Sequence, residues 1–441
     1  TITQKRELNE DSEIMHTYES FEYDNMGNVV GYASNVSGSE VRSYIGYHSL
    51  EEHHRYDVPS IIRVTTTDGI ELRRRETDVD QLGNITQIRM YNNDNVAHYD
   101  MTYDRFGNLI RITRPENHKG QRMWFEYTYD DVLHMLVTSV IDAFGYTSST
   151  VYDYRWAVPL ETTDINGNRM VYTYDGLGRL KTVTAPYELE AGHPYTISFE
   201  YVADAQVPYA RTSHFDGHTG GRIATYTFVD ALLRPVQVKR SGTVFIDGAD
   251  RQVMLVSGRV RYDAFGRAVE QFHPVVEPLA NAAIYSTVTD NVPPTLMQYD
   301  VLDRIIRVTL PDGASTTTQY AMVTRDGETM VQTITADALG RRAVAYTDGR
   351  GRTRSTLRMI DDQPVRVSYR YNLVGDLLEV THPNGHITTY TYDKLGRQLS
   401  VDHPDAGLIT FEYDNANNLV RKQTPNLRTS HKRGGWNNRD S

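Results

Sequence analysis

The chain has 441 residues, a formal net charge of −11 and no cysteine. Disulfides, thiolate metal sites and cysteine nucleophiles are thereby excluded, and the acidic balance argues against a sequence-independent grip on nucleic acid or an acidic membrane. Tyr outnumbers Phe and Trp, 31 against 11 and 3, and Thr, Val and Tyr dominate the periodic stretches, which favours strands. No apolar run reaches membrane-spanning length. No signal peptide or initiating Met is visible, so the chain reads as a piece of something longer.

An internal repeat runs through the sequence. Its first clear copy is Tyr23-Asp24-Asn25-Met26-Gly27-Asn28. Asp80-Gln81-Leu82-Gly83-Asn84 follows, then Tyr103-Asp104-Arg105-Phe106-Gly107-Asn108 and Asp142-Ala143-Phe144-Gly145. Asp164-Ile165-Asn166-Gly167 and Tyr174-Asp175-Gly176-Leu177-Gly178-Arg179 are only 11 residues apart, which places them at opposite edges of a sheet. In the middle, Asp230-Ala231-Leu232-Leu233 puts Leu where Gly belongs, Tyr262-Asp263-Ala264-Phe265-Gly266-Arg267 is regular, and Asp300-Val301-Leu302-Asp303 puts Asp there. Longer insertions are expected near 187–222, 240–258 and 273–297; the last holds four prolines and reads as a loop crossing a sheet edge. Asp337-Ala338-Leu339-Gly340 and Asp348-Gly349-Arg350-Gly351 restore the period. From Asn372 to Asp393 and from Asp393 to Asp414 the spacing is 21 residues each time. That last run includes Asp393-Lys394-Leu395-Gly396-Arg397, and Asn417 takes the Gly place at its end. The tail, 426–441, is polar and without alternation, and is expected to fray.

The chemistry of the unit is local. Asp suits the first position of a type I turn, where its carboxylate accepts from main-chain N–H groups two or three residues on. Gly suits a following position with φ > 0. The structural turn residues are therefore Asp24, Gly27, Asp104, Gly107, Asp175, Gly178, Asp263, Gly266, Asp337, Gly340, Asp393 and Gly396. Turns every 9–12 residues between β-rich runs predict an all-β antiparallel meander over 1–425. Strand twist coils so long a sheet into a spiral or closed wall. Tyr with Leu or Val would pack one face and Arg, Thr and Glu line the other. Gly178→Val should damage its turn, and the same change at Leu233 should be tolerated, since that turn already lacks Gly.

Fourteen copies or near-copies at related spacings carry a resemblance to the RHS/YD-repeat family, whose hallmark is Tyr-Asp-x-x-Gly-Arg-Leu. The strings Tyr152-Asp153-Tyr154-Arg155, Thr163-Asp164-Ile165-Asn166-Gly167-Asn168 and Thr347-Asp348-Gly349-Arg350-Gly351-Arg352, together with the stretch from Asn384 to Pro404, are similar to the RHS section of insecticidal toxin complex B components and of proteins with an SpvB-like domain. The resemblance implies a spiral RHS shell, a partial β-cocoon, that encloses a toxic carboxy-terminal polypeptide until delivery. It also implies toxin-complex or secretion partners and a secreted or cell-surface place in a bacterium. The self-cleaving core segment, the cargo domain and the SpvB-like and propeller regions of that family are not found, so the chain reads as shell wall only.

No catalytic, cofactor or metal residue stands out from this pattern. His214-Phe215-Asp216-Gly217-His218 offers two imidazoles and a carboxylate, but Gly217 and Thr219-Gly220-Gly221 point to a loop, where i,i+4 spacing has no fixed meaning. His53-His54 reads as surface. The many Asp residues are explained by turn capping rather than paired acid–base work. Nucleophile-elbow, zincin, phosphate-loop and calcium-loop motifs are absent. Arg73-Arg74-Arg75 and Arg350-Gly351-Arg352-Thr353-Arg354 read as solvated edge clusters. Asn35-Val36-Ser37 and Asn84-Ile85-Thr86 match glycosylation sequons by chance. Three function classes stay open: a toxin-enclosing shell segment, an extracellular YD-repeat protein for adhesion or carbohydrate binding with glycans as partners, and, least favoured, a glycan hydrolase on a β-solenoid.

Overall fold

The structure, a computed structural model, describes residues 2–8, 14–36, 39–217, 220–288, 290–325, 327–360 and 363–426. It is all-β apart from the short helix Pro186–Glu190 and two single 3₁₀ turns. Successive strands pair antiparallel with their neighbours in sequence, as in Asn95–Tyr103 with Leu109–Glu116 and Ile387–Tyr392 with Gln398–His403. The register slips by one residue at each Tyr that precedes a turn Asp, for example at Tyr103 and Tyr392. That slip is the bulge the left-handed Gly creates, and it adds local twist to every strand pair.

Two sheets, of 21 and 14 strands, meet in the middle of the chain. The strands Ala249–Ser257 and Val260–Tyr262 follow one another across a bend at Gly258 and Arg259. Their partners Val275–Pro278 and Ala268–Gln271 bend alongside, with Phe272 N donating to Arg259 O at 2.9 Å. The wall is thus one meander with a fold line.

The meander returns on itself. Arg350 Nη2 donates to Ser39 O at 2.8 Å, Arg73 pairs with Asp376 at 2.9 Å, Asn92 Nδ2 donates to Asp393 at 3.2 Å and His118 N donates to Asp414 at 3.0 Å. The partners are 311, 303, 301 and 296 residues apart. One turn of the spiral therefore takes about 300 residues. Roughly two dozen strands spaced about 4.8 Å give a circumference on the order of 110 Å and a diameter of roughly 35 Å.

Most of this wall is one layer thick. The accessible surface is 27,716 Å², against roughly 17,000 Å² for a compact protein of this mass. One face carries a ladder of cross-strand charges, including Arg111–Glu126 at 2.8 Å, Arg370–Glu379 at 2.8 Å, and Arg89 bridging Glu76 and Asp78. The double layer is confined to the middle. Segment 279–288 lies over the strands Arg222–Val229, Pro235–Ile246 and Ala249–Ser257, and beneath it Phe228, Met254, Val256, Gln237 and Lys239 are fully buried.

The three insertions are more ordered than their composition suggests. The stretch 187–222 holds the strands Ile197–Val202 and Tyr209–Phe215, and 240–258 falls within the hairpin Pro235–Ile246 with Ala249–Ser257. In 273–297, Val275–Pro278 is a paired strand; its prolines sit before it and at its last residue, where they spare most of the ladder. The expected tail lies outside the described residues except for Asn426.

Candidate functional site: the turn rims and the coil seam

Because strands alternate in direction, the turns fall on two rims. The near rim carries the turns that start at Asp24, Asp104, Asp175, Asp263 and Asp393; the far rim carries that of Asp337, with those of Asp142 and Asp164. The pairs of turns 11 residues apart do lie on opposite rims.

The unit at Tyr103–Asn108 shows how each turn is held. Asp104 Oδ1 accepts from Phe106 N at 2.8 Å and Asn108 N at 2.9 Å, and Oδ2 accepts from Asn108 Nδ2 at 2.9 Å. Gly107 N returns to Asp104 O at 3.1 Å with φ +84°. The carboxylate thus reaches the second and fourth residues on, one beyond the span expected of a simple turn. Asp24, Asp175, Asp263, Asp337 and Asp393 accept from the same two positions. Gly27, Gly178, Gly266, Gly340 and Gly396 all have φ between 76° and 88°. Burial works against the charge on Asp104, but the Asn108 and Phe106 donors outweigh it and hold the carboxyl below its ordinary value. Asp175 and Asp263 are held low chiefly by the main-chain N–H of Arg179 and Arg267, and Asp337 by the Arg341 side chain.

Turns without Gly keep this conformation. Leu233 and Asp303 have φ 60° and Asn417 φ 70°. Leu233 therefore already bears the left-handed strain, and tolerance of a β-branched residue there does not follow from the missing Gly.

Two further residues of the repeat have roles that local turn chemistry does not reveal. At several turns the Tyr before the Asp donates its hydroxyl to a main-chain carbonyl of a neighbouring strand. Tyr103 reaches Ile85 O at 2.9 Å, Tyr129 reaches Leu109 O at 2.9 Å and Tyr174 reaches Pro159 O at 2.7 Å. Burial, then the nearby Asp80 carboxylate, pushes the Tyr103 phenol up and keeps it a donor. The Arg or Asn after the Gly reaches forward along the rim. Arg397 holds Asp393 at 2.7 Å, donates to Asp414 O at 2.7 Å and stacks 5.1 Å from the Tyr413 ring centre. Arg352 does the same to Asn372 O and Tyr371. The preference for Tyr over Phe at one fixed place is the signal that pointed to this.

At the seam, near-rim turns of the second coil meet far-rim turns of the first. Lys394 Nζ lies 3.4 Å from Glu71, and Lys394 N donates to Asn92 Oδ1 at 3.1 Å. A groove of about 640 Å³ opens between the coils, lined by Arg73, Asn92, Asp376, Tyr392, Lys394 and their neighbours. Arg73 and Arg350 are therefore seam residues rather than members of a solvated edge, whereas Arg74 and Arg352 bond within their own sheet to Glu76 and Asp348.

The remaining candidates are dispersed. His214 is exposed on a strand, and His218 and Thr219 lie outside the described residues. Among the described residues no group of three or more His, Asp or Glu is arranged to hold a metal ion. Asn84 of one sequon donates its amide to Asp80 at 2.9 Å, as turns require; Ser37 of the other lies outside the described residues. Among the described residues no helix is long and apolar enough to cross a membrane.

Residues 371–408 match the RHS repeat family model. That stretch carries the RHS repeat. No curated protein matches it in sequence. Among solved structures, TcdB2-TccC3 superposes with a TM-score of 0.73 at 14% identity, over 93% of this chain and 29% of that one. The Photorhabdus luminescens Tc holotoxin pore superposes with a TM-score of 0.73 at 14% identity, over 93% and 30%. The chain thus has the fold of part of those assemblies and spans under a third of their length. The RHS match falls on the most regular stretch, while the structural match runs over wall and fold line alike.

Proposed function

We propose that this chain is a wall segment of an RHS toxin shell and acts by enclosure. The carrying observation is the single-layer sheet that meets itself after about 300 residues and so surrounds a space. A wall about 10 Å thick leaves a bore on the order of 25 Å. That width takes an extended chain or a helix, about 10–12 Å across, more readily than a folded domain. The cargo would be a toxic polypeptide held incompletely folded, with toxin-complex or secretion components as the other partners and a secreted or cell-surface setting. Residues 1–425 would act as one shell segment, with Asp104, Gly107 and their counterparts as its corner pieces rather than as reactive groups. Several Tyr rings are poor free platforms for sugars, since Arg covers the faces of Tyr371 and Tyr413 and the hydroxyls of Tyr103 and Tyr174 are bound.

Limited proteolysis of the full-length protein tests this. The segment following the shell should resist protease while the wall is intact and become sensitive when the seam is opened by Arg350→Ala with Asp376→Ala. Equal sensitivity in both would refute enclosure.

A further inference from the structure

At three far-rim turns of the first coil the acceptor is an oxygen. Asp142 Oδ1 accepts from Phe144 N at 2.9 Å and Tyr146 N at 3.0 Å. Asp164 Oδ1 accepts from Asn166 N at 2.8 Å and Asn168 N at 2.9 Å. Asn117 Oδ1 takes Lys119 N at 2.9 Å and Gln121 N at 3.0 Å. Two far-rim turns of the second coil use imidazole instead. His403 Nδ1 accepts from Asp405 N at 3.1 Å and Ala406 N at 3.4 Å. The preceding far-rim turn is closed by His382 N donating to His386 O at 2.8 Å and Gly385 N to His382 O at 2.9 Å. Within it Asn384 Oδ1 accepts from His386 N at 3.1 Å, and the Asn384 amide donates to His386 Nδ1 at 3.2 Å. Both Nδ1 atoms are lone-pair acceptors, so both rings are neutral and carry their proton on Nε2.

The rings share one cavity of about 320 Å³, lined by His382, Asn384, His386, His403, Asp405 and two prolines. His382 and His403 lie edge to face with ring centres 5.9 Å apart, and His382 Nε2 is 3.0 Å from Oγ1 of the buried Thr388. Asp405 is the one carboxylate of that lining, and no lysine or arginine belongs to it. Glu379 and Asp402 stand in register with Thr389, on the opposite face of the sheet from Thr388 and His403. Glu412, on the strand that leaves the His403 turn, pairs with Arg421 at 3.2 Å.

Imidazole is the ordinary side chain whose charge changes between about pH 5 and 8. A proton on His403 Nδ1 removes the acceptor and turns an N–H against two main-chain N–H groups. A proton on His386 Nδ1 does the same to the Asn384 amide. Asp405 can balance one added charge but not three, and like charges this close repel.

We propose that these two turns are an acid-sensitive catch in the wall. Neutral imidazoles hold them closed at about pH 7.5, and protonation opens them by about pH 5.5, while the oxygen-capped turns stay closed. The opening is local, so the strands stay paired and global melting is nearly unmoved. It belongs to the wall itself, whatever the wall encloses.

Hydrogen exchange of the full-length protein, read by mass spectrometry at both pH values with exposure times scaled for the intrinsic rate, tests this. Peptides over 381–388 and 402–408 should lose protection about tenfold on going to the lower pH, and the peptide over the Asp164 turn should keep its own. In His403→Asn, which puts the Asn117 type of acceptor in place, the peptide over 402–408 should keep its protection at both values. The wild-type comparison with the Asp164 turn stands even if that variant fails to fold. Unchanged protection at both histidine turns, an equal loss at the Asp164 turn, or an equal loss in a folded His403→Asn would each overturn the proposal.

Discussion

Residues 371–414 and residues 228–288 use the same antiparallel strands but are held together by different means. In the first, strands are stitched by turn carboxylates and the forward-reaching Arg397, and both faces of the sheet stay largely open. Each hydrogen bond there contributes on the order of 1 kcal/mol, and many share the load. In the second, a loop covers the sheet and buries Phe228, Met254 and Val256 around a polar cluster. Lys239 Nζ bonds Glu277 Oε2 at 2.6 Å and Asn281 O at 2.8 Å. Ser286 Oγ bonds the other Glu277 oxygen, and Gln237 exchanges two bonds with the main chain of Ser286, at 3.0 and 2.8 Å. Distributed stitching keeps a thin wall standing; a small dry core pins the fold line where the strands bend at Gly258.

The contrast predicts unequal costs. Lys239→Met leaves Glu277 buried without its cation and should cost about 3–5 kcal/mol, seen as a lower denaturation midpoint. A small loss would mean that the covered region does not carry the fold line. Gly178→Val should cost next most, about 2–3 kcal/mol. It adds left-handed strain and places a Cβ 2.7 Å from Trp156. Gly27→Val, also left-handed but with open space around it, should lose only the strain, about 1–2 kcal/mol. Thermal melts of both separate strain from collision. Arg350→Ala removes donors to Ser34 O, Ser39 O and Leu373 O. It should speed amide exchange around 34–39 while leaving the middle of the chain protected. The smallest effect, under about 1 kcal/mol, is expected for Arg370→Ala, an exposed arginine whose ion pair with Glu379 lies at the surface.

Acid weakens the turns and the covered core alike. Asp175, Asp263 and Asp337 have folded values below the ordinary 3.8. Their contribution is complete above that value and is lost as pH falls through the depressed ones. For Glu277, burial opposes the charge, but Lys239 and Ser286 prevail and hold it below 4.5, so the same sign applies. Melting temperature should be flat from neutral pH to about 5 and fall below about 4.

The meander was legible because its signals are local. Asp and Gly write the turn within five residues, and strand length follows from turn spacing. The seam was not, because Arg73 and Asp376 are separated by 303 residues and nothing near either marks the other. Arg350 looked like one of a solvated cluster for the same reason. The covered core hid behind its composition: a Lys and a Gln inside a strand read as an exposed face until segment 279–288 is seen to close over them. The prolines of 273–297 read as a loop, which most of it is, but Val275–Pro278 enters the sheet as the second partner of the bent strand Ala249–Ser257.

Small-angle scattering of the chain, extrapolated to zero concentration, tests the central claim of a thin wall around a space. A thin wall around a space predicts a distance distribution weighted to longer vectors than that of a filled particle of the same mass. A distribution matching that of a filled particle would contradict it.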